Sequence, residues 1–458
     1  MKNPILLLTA MASSCIGQTA QETKTESQAT DRNVLFIVVD DLNTTLGCYG
    51  HPIVKTPNID RLAEMGVRYN HAYCNYAVSG PSRSSFLTGL RPETIGVLDN
   101  RTPLLSVLGD RITLPRLFRQ NGYYTMGLGK VFNGPKEQND TLAWDEVYSY
   151  GQTPLGRTGE KRNMTGDVLK WCEWMAAEGT DLDQPDGQTA AKAVEFIKSE
   201  KDKPFFLAVG FHKPHDPFVA PKEYFDMYPL EICNPPIVPE GWQPPYEHTL
   251  PGETKVFNKF TDQDRREFLR SYYACVSFLD AQVGKLLVAL EETNQLDNTL
   301  IVFFSDHGYH LGEHNWWNKV TIFEKGTNAP FIIAGQSVGR KGMVSDAMFE
   351  YVDIYPTLAE LMNLNNTPQY LEGKSFAVSV KDPSQKSRSE VRAIVRRGEM
   401  LGKMVKTEKW RYIEWDNGLK GNELYDQISD PVEYVNLAGN KEYDEIISEM
   451  KSLLHKME

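Results

Sequence analysis

The stretch Val34-Leu35-Phe36-Ile37-Val38-Val39-Asp40-Asp41 decides the fold prediction, because six apolar residues lead directly into two carboxylates. An unbroken apolar run of this length is typical of a strand that is covered on both faces of its sheet. The carboxylates then stand at the carboxyl end of the strand, where open α/β sheets place their ligand sites. We therefore expect a charged crevice at this edge of the sheet.

Further apolar runs with the same character are separated by helical patterns. They lie at Pro204–Phe211, Thr299–Phe304 and Pro330–Gly335. From Phe268 to Leu290 apolar residues recur every three or four positions, behind a capping box formed by Thr261 and Asp264. This alternation predicts an α/β sandwich with a large, mostly parallel central sheet.

The pattern changes near residue 376. Short alternating segments at Ala393–Val395, Met400–Val405 and Trp410–Trp415 predict a small antiparallel sheet, and a helix is expected after it, from about Lys441 to Lys456. We therefore predict a catalytic domain over residues 33–375 and a smaller C-terminal subdomain over residues 376–458. Within the first, residues 133–187 are polar and glycine-rich, which favours a loop that shapes the substrate site.

The N-terminal residues have the pattern of an export signal. Lys2 precedes an apolar run over residues 5–12, and Ser13-Ser14-Cys15 resembles the cleavage site of a bacterial lipoprotein. Residues 1–17 are predicted to be this signal, and residues 18–32, which lack apolar content, a polar linker. The expected location is the periplasm or the cell surface, with a lipid anchor to the membrane, or the protein is secreted.

Composition limits the classes of function. The 458 residues carry a net charge of −12, which argues against a general nucleic-acid binder. None of the six cysteines falls in a CxxC pair, which argues against a zinc knuckle. An acidic chain that acts on an anion must concentrate its positive charge locally.

Three aspartates indicate a metal site. Asp40, Asp41 and Asp306 each follow a predicted core strand, and bringing three carboxylates together without a counter-charge is costly. A hard divalent cation with oxygen ligands removes that cost. We expect one calcium site, with magnesium as the alternative.

A longer segment carries a resemblance to a known family. Ser79-Gly80-Pro81-Ser82-Arg83, followed by Leu87-Thr88-Gly89, resembles the signature of the sulfatases of the alkaline-phosphatase superfamily. The likeness extends from residue 33 to about 335 and includes Asp40-Asp41, Thr56–Leu62, Gly129-Lys130 and Ser305–Gly308. It implies an alkaline-phosphatase-like fold and a sulfuric-ester hydrolase. It also implies that Ser79 is oxidised to formylglycine, which requires a serine-oxidising radical maturase as a partner.

The resemblance assigns roles around Ser79. The oxidised residue would be the nucleophile and, with His307, would join Asp40, Asp41 and Asp306 as a metal ligand. Arg83 lies four residues later, so a helix that begins at the signature returns it to the same face as Ser79. There it could hydrogen-bond both the nucleophile and the metal-binding carboxylates.

The resemblance also assigns the groups that handle the sulfate ester. Lys130 and Lys319 would hold the sulfate oxygens, and His212 would protonate the departing alcohol oxygen. His215 is expected to contact the substrate or to be structural. The neighbouring His310 and His314 are expected to shape their loop rather than to bind metal.

The finer likeness is to the iduronate-2-sulfatase-like branch. It rests on His212–Phe218, on Asp306–Gly308 and on Gly312–His314 before Lys319. Asn133 stands where that branch can carry His. This departure argues against specificity for uronate 2-sulfates. The expected substrate is a sulfated oligo- or polysaccharide, from a glycosaminoglycan or from an algal polysaccharide such as ulvan.

Two other functions are alternatives. A metal-dependent phosphohydrolase of the same superfamily would keep Ser79 unmodified, but the Pro-Ser-Arg context and the single metal cluster argue against it. A catalytically silent, glycan-binding lipoprotein would have lost part of the reactive set, which is complete in this chain. Trp316 and Trp317 could stack on sugar rings or pack in the core, and the sequence leaves both open.

Overall fold

The structure is a computed structural model that describes Met1 and residues 33–456. The predicted export signal, its Cys15 and the polar linker over residues 18–32 lie outside the described residues. Their assignment, and the location of the protein, stay predictions.

Most strands are short. In chain order they are β1 (Asn33–Val39), β2 (Gly66–Tyr69), β3 (Ala72–Tyr73), β4 (Tyr124–Gly129), β5 (Glu146–Tyr148), β6 (Gly159–Asn163), β7 (Glu173–Ala177), β8 (Phe205–Phe211), β9 (Phe218–Pro221), β10 (Thr299–Ser305), β11 (Phe331–Ala334), β12 (Met343–Ser345), β13 (Phe349–Glu350), β14 (Val391–Arg397), β15 (Met400–Lys406), β16 (Trp410–Trp415) and β17 (Asn422–Asp426).

The helices vary more in length. In chain order they are α1 (Pro57–Met65), α2 (Ser79–Thr88), α3 (Pro92–Ile95), α4 (Leu104–Leu108), α5 (Leu114–Gln120), α6 (Pro185–Lys198), α7 (Lys222–Asp226), α8 (Thr254–Phe257), α9 (Asp262–Glu292), α10 (Glu324–Thr327), α11 (Ile354–Leu361), α12 (Ala377–Lys381) and α13 (Asp444–His455).

The central sheet has eight strands in the order β12-β2-β11-β10-β1-β8-β4-β5. The strands from β10 to β5 run parallel to one another. Of the predicted core strands, β1, β8 and β10 are fully buried and adjacent. β11 is also buried, but it pairs antiparallel with both of its neighbours. The predicted α/β sandwich with a large, mostly parallel sheet is confirmed.

The long helix α9 supports one face of this sheet. Thr261 caps it, and the predicted reciprocal hydrogen bonds between Thr261 and Asp264 are present. Among the described residues α9 alone has the length and composition to cross a membrane, but 83% of its apolar window is buried inside the protein. That burial is the pattern of a core helix, in agreement with the predicted apolar stripe.

The region expected to be an irregular loop contains regular structure. Residues 133–187 include β5, β6 and β7, and the last two form a three-stranded sheet with β9. Trp174 in β7 donates a hydrogen bond to Glu267 of α9, which ties this sheet to the core. The prediction missed β6 because its sequence, Gly-Glu-Lys-Arg-Asn, is polar at every position and mostly exposed.

The C-terminal residues form the expected antiparallel sheet, in the order β14-β15-β16-β17, with α13 packed on β15 and β16. The three alternating segments are β14, β15 and β16, whereas β17 and α12 were not predicted. Ala393, Met404 and Ile413 belong to the same buried cluster as the central sheet. The boundary at residue 376 stays a prediction. The described cysteines are free thiols.

We expect the replacement Thr261→Ala to lower the free energy of unfolding by about 1 kcal/mol, because it removes the cap of the longest helix. Urea unfolding followed by circular dichroism measures the change. Thr261→Ser keeps the accepting oxygen and is the matched control. Equal stability of Thr261→Ala and the parent protein would contradict the role of the cap.

Candidate active site

The carboxyl ends of four adjacent parallel strands bring most of the predicted site residues to one edge of the sheet. β1 leads into Asp40 and Asp41, and β10 leads into Asp306 and His307. β4 is followed by Lys130, and β8 by His212. Since parallel strands all end at the same edge, the topology alone places these six residues around one crevice.

Helix α2 supplies the predicted nucleophile. Ser79 is its first residue, and every residue of the helix is buried. The hydroxyl of Ser79 donates a hydrogen bond to Asp40 Oδ1 over 2.9 Å and lies 3.3 Å from His307 Nε2. Ser79 therefore faces the crevice directly, in contact with residues that follow β1 and β10.

Arg83 lies one turn further along α2, on the same face as Ser79. Its Nε donates to Asp306 Oδ2 over 2.9 Å, and Nη2 is 3.6 Å from Asp40 Oδ1. Nη1 donates to the carbonyl oxygens of Lys130 and Val131. This buried guanidinium thus joins the ends of β1, β10 and β4 into one unit.

Two glycines allow the end of β4 to approach β8 closely. Gly129 has a φ of +66°, and a Cβ there would lie 2.2 Å from the carbonyl oxygen of Gly210. A Cβ on Gly210 would lie 2.1 Å from the backbone of Lys130. Any larger residue at either position would therefore push Lys130 away from the crevice.

Two lysines contact the aspartates of β1. Lys130 Nζ hydrogen-bonds to Asp40 Oδ2, and Lys319 Nζ hydrogen-bonds to Asp41 Oδ1. Burial would lower the pKa of Lys319, but Asp41 and Asp40 outweigh that effect and raise it above its usual value. Lys319 is therefore a permanent cation inside the site.

The two adjacent aspartates have opposite electrostatic environments. Burial favours the neutral form of Asp40, but the cations Lys130 and Arg83 outweigh burial and hold its pKa well below the usual value. Burial raises the pKa of Asp41, and the charges of Asp40 and Asp306 add to this effect against Lys319. Of these two carboxylates, Asp41 is therefore the one whose ionised form would be stabilised most by a further positive charge.

Two observations show that the residues present fit a metal ion. Ligand atoms of Asp40, Asp41, Asp306 and His307 all lie within 4.8 Å of one another. Asp41 Oδ2 is buried and has no hydrogen-bond partner among the described residues. An unpaired carboxylate oxygen inside such a cluster is the position that a hard cation occupies.

His307 has the tautomer that a metal ligand requires. Its Nδ1 lies 3.0 Å from the carbonyl oxygen of Gly308, which can only accept, so the proton is on Nδ1. Nε2 then presents its lone pair to the cluster, 3.4 Å from Asp41 Oδ1 and 3.5 Å from Asp306 Oδ1. Burial lowers the pKa of this imidazole, which keeps it neutral.

His212 lies at the open side of the crevice, with 44% of its side chain exposed. Its Nδ1 is 3.5 Å from Asp186 Oδ1, and Asp186 also accepts hydrogen bonds from the backbone N–H groups of His212 and Lys213. Asp186 therefore fixes the backbone of His212 and faces its ring. Asp186 was not predicted as a site residue, because an aspartate in the first turn of a helix is usually explained by the helix dipole alone.

His215 is closer to the cluster than expected. Its Nδ1 donates to the carbonyl oxygen of Asp216 over 2.6 Å, and its Nε2 lies 3.8 Å from Asp41 Oδ2. Burial and the nearby Lys319 lower the pKa of His215 to about 4, so the ring is neutral at physiological pH. Asp41, His215 and Asp216 form a second group of potential metal-binding atoms.

The other predicted aromatic and histidine residues are structural. Trp316 and Trp317 are buried and pack against Phe257, Phe260 and Phe268, which favours packing over sugar stacking. His310 and His314 are also buried, and they hydrogen-bond to Thr321 and to the carbonyl oxygen of Glu433. Both lie outside the metal-binding groups found among the described residues.

Asn133 lies close to the start of α2. Its amide donates to the carbonyl oxygen of Asn100 over 3.3 Å, and the side chain of Asn100 accepts from Gly80 N–H over 2.7 Å. Asn100 lies in an exposed turn between α3 and α4, and no motif in the sequence indicated it. Asn133 is thus connected to α2, the helix that carries Ser79, through one intervening side chain, that of Asn100.

An α/β fold that places an acidic cluster able to hold a metal ion beside a buried serine is typical of a metal-dependent hydrolase. The sulfatase family profile matches residues 32–364, and the profile of the N-sulphoglucosamine sulphohydrolase C-terminal region matches residues 312–458. The chain belongs to the sulfatase family and is a sulfuric-ester hydrolase. Membership implies a metal site and a formylglycine.

Curated relatives support the same conclusion. A sulfatase from Formosa agariphila is 34% identical over 98% of this chain and 91% of its own length. Human iduronate 2-sulfatase is 36% identical over 78% of this chain and 70% of its own length. The predicted resemblance to the sulfatases, and to their iduronate-2-sulfatase-like branch, is confirmed.

The fold alone is shared more widely. The phosphonate monoester hydrolase of Agrobacterium radiobacter has a TM-score of 0.75 to this structure, at 20% identity, over 92% of this chain and 94% of its own. At that identity the similarity shows a shared fold only. The kind of ester that is hydrolysed has to be inferred from the residues of the site.

We expect Asp41→Asn to weaken calcium binding at least about tenfold, because even groups that only hydrogen-bond to metal ligands cost about that much when removed. Isothermal titration of the metal-free protein with calcium measures it. Asp346→Asn, on an aspartate whose side chain is 78% exposed, is the matched control. Unchanged affinity in Asp41→Asn would remove Asp41 from the ligand set.

Proposed function

We propose that the enzyme removes sulfate from a sulfated carbohydrate, with calcium at the acidic cluster and a formylglycine made from Ser79. The observation that carries this proposal is the position of Ser79. It begins a buried helix and contacts Asp40 and His307, one from each of two neighbouring strands. The hydroxyl of Ser79 thus lies next to two members of the acidic cluster, where a nucleophile activated by a metal ion would have to be.

The proposed metal ligands are Asp40, Asp41, Asp306 and His307, with the oxidised Ser79 completing the set. Oxygen ligands with one imidazole suit a hard cation, which favours calcium over a softer metal. When bound, the cation supplies positive charge beside the nucleophile and the sulfate. When oxidised, Ser79 supplies the hydrated aldehyde that attacks sulfur, a role that a plain serine hydroxyl would fill less well.

The chain's own cations orient the reacting groups. Arg83 is held by Asp306 and by two backbone carbonyls, so its guanidinium keeps a fixed position beside Ser79. Lys130 hydrogen-bonds to Asp40, and Lys319 hydrogen-bonds to Asp41. We assign these lysines to the sulfate oxygens, because their charges balance the negative charge that a sulfate ester brings into the site.

His212 is assigned as the acid that protonates the leaving alcohol oxygen. It lies on the open side of the crevice, where the sugar must be, and Asp186 faces its Nδ1. Asp186 accepts hydrogen bonds from the backbone N–H groups of His212 and Lys213, and the Nδ1 edge of the ring faces this aspartate rather than the substrate. Nε2 is then the nitrogen that donates to the leaving oxygen.

Uronate-containing polysaccharides are the proposed source of the substrate. The likeness to human iduronate 2-sulfatase supports a uronate 2-sulfate. Asn133 departs from that branch and is connected to α2 through Asn100. This departure instead favours a different sugar next to the sulfate. We therefore place glycosaminoglycan and ulvan-type algal oligosaccharides in the same substrate class, an anionic sugar chain that carries sulfate esters.

One observation favours a second candidate function. Asp41, His215 and Asp216 could hold another metal ion next to the first, as a two-metal phosphohydrolase would require. This candidate predicts hydrolysis of phosphate or phosphonate monoesters by the unmodified serine enzyme. The sulfatase relatives make it the weaker of the two.

We expect co-expression with a serine-oxidising maturase to remove two hydrogen atoms from Ser79 and to switch on sulfate release. Peptide mass spectrometry measures the first, and ion chromatography of sulfate from a panel of sulfated glycans measures the second. Protein expressed without the maturase, and the Ser79→Ala variant, should be folded and inactive. Sulfate release by protein whose Ser79 is unmodified would overturn the nucleophile assignment, and turnover of a phenyl phosphonate ester by that protein would favour the phosphohydrolase.

We expect His212→Gln to lower kcat about 10²- to 10⁴-fold on a sugar sulfate, because an alcohol is a poor leaving group without protonation. The same variant should lose far less activity on 4-nitrophenyl sulfate, whose phenolate leaves without a proton. Steady-state kinetics on both substrates gives the ratio. Equal losses on the two esters would show that His212 is not the acid.

A further inference from the structure

The residue after Lys319 has a backbone conformation that its side chain disfavours. Val320 has a φ of +68°, in the left-handed region, where a β-branched side chain crowds its own backbone. Among the described residues other than glycine that have a positive φ, Val320 alone is β-branched. Such a conformation persists only where the surrounding contacts hold it. The rest of the structure must therefore stabilise Val320.

The conformation of Val320 affects how Lys319 enters the crevice. The two residues share one peptide unit, so a rotation about φ of Val320 would turn Lys319 relative to the residues that follow. On its other side Lys319 is already fixed, because its N–H donates to Asn318 Oδ1 over 2.8 Å and its carbonyl oxygen accepts from Trp316 Nε1 over 2.7 Å. From this position Lys319 Nζ reaches Asp41. The left-handed conformation is thus part of the geometry that brings a cation to the acidic cluster.

Two hydrogen bonds hold the backbone of Val320. Its N–H donates to the carbonyl oxygen of Ala77, two residues before Ser79, over 3.2 Å. Its carbonyl oxygen accepts from Arg397 Nη2 over 2.5 Å. The peptide units on both sides of Val320 are therefore fixed, one by the segment that leads into α2 and the other by the last residue of β14.

All three nitrogens of the half-buried Arg397 guanidinium donate to backbone carbonyl oxygens. Nε donates to His248 over 3.2 Å, Nη1 to Arg396 over 3.3 Å, and Nη2 to Thr249 over 3.5 Å in addition to Val320. Burial lowers the pKa of Arg397 to about 10, so the group stays charged at neutral pH and forms charge-assisted hydrogen bonds. Arg397 therefore acts on the protein backbone.

The strand that carries Arg397 is itself fixed to the segment that leads into α2. The N–H of Ile394 donates to the carbonyl oxygen of Asn75 over 2.9 Å, and the N–H of Arg396 donates to the hydroxyl of Tyr76 over 2.9 Å. The end of β14 is thus held against the same segment that accepts the N–H of Val320. A movement of Val320 relative to α2 would have to break contacts on both sides.

We propose that Arg397 is a positioning residue for Lys319, because it holds Val320 in the left-handed conformation from which Lys319 reaches the crevice. Arg397 acts through Lys319 and not on the sulfate ester, since each of its nitrogens already donates to the protein. The inference rests on the proposed function, which assigns Lys319 to the sulfate oxygens, and deepens it. A residue of the C-terminal sheet then sets the geometry of sulfate binding.

The test combines replacements at the two positions. Arg397→Lys keeps the charge and removes the planar fork that reaches several carbonyl oxygens. Val320→Gly removes the Cβ, so that residue 320 adopts a positive φ without a steric cost. Val320→Ala keeps the Cβ and is the matched control for that replacement. Arg340→Lys makes the same chemical change at an exposed arginine and is the control for Arg397→Lys.

We expect Arg397→Lys to lower kcat/KM of the matured enzyme on 4-nitrophenyl sulfate about 10- to 100-fold, since a displacement of about 1 Å can cost about 10²-fold. The same replacement should cost much less in the Val320→Gly background, where the conformation no longer needs to be held. In the Val320→Ala background it should cost as much as in the parent protein, and Arg340→Lys should behave as the parent. Equal losses from Arg397→Lys in all three backgrounds would overturn the inference.

Crystal structures of the parent protein, of Arg397→Lys and of its combination with Val320→Gly separate this inference from the proposed function. The inference predicts that Arg397→Lys moves Lys319 Nζ away from Asp41 and that the combined variant restores its position. Lys319 in an unchanged position would overturn the inference, whatever the kinetics show. A displaced Lys319 with unchanged sulfate turnover would support positioning by Arg397 and contradict the assignment of Lys319 to the sulfate oxygens.

Discussion

The constraint on which the structure depends is the burial of three carboxylates at one point. Asp40, Asp41 and Asp306 have no solvent exposure, and the effective cost of burying an unpaired ion is several kcal/mol. The parallel pairing of β1 and β10 leaves the chain no way to separate them. Arg83, Lys130 and Lys319 balance the three charges formally, yet Asp41 keeps a raised pKa and an unpaired oxygen. The metal site that membership of the sulfatase family implies would meet the remaining demand for positive charge.

Other parts of the fold hold the side chains of Arg83, Lys130 and Lys319 in place. Helix α2 fixes Arg83, and the close approach of Gly129 and Gly210 brings in Lys130. The segment after Lys319 is fixed from the C-terminal sheet, because the buried Arg411 of β16 donates to the carbonyl oxygen of Ile322 and pairs with Glu433. The C-terminal sheet thus helps to position Lys319, which we assign to the sulfate oxygens, as well as covering the core.

Much of this was predictable because it follows from strand ends. An apolar run that stops at an acidic pair determines both the strand and the direction of its side chains, so Asp40, Asp41 and Asp306 could be placed together without coordinates. Lys319 was harder, because its loop has no periodicity, and only the family resemblance indicated it. Asp186 and Asn100 were missed, since each acts through a contact with a residue that is twenty or more positions away in the chain. The polar strand β6 was missed because exposure on both sides removes the alternation that a pattern search needs.

The location of the cation tests this account most directly. Anomalous diffraction from crystals of the matured protein, grown with calcium and measured at a long wavelength, would locate the ion without reference to activity. The account predicts one peak enclosed by Asp40, Asp41, Asp306 and His307, with Ser79 beside it. A peak at Asp41, His215 and Asp216 instead, or two peaks at both places, would contradict the single-metal site and favour the two-metal phosphohydrolase.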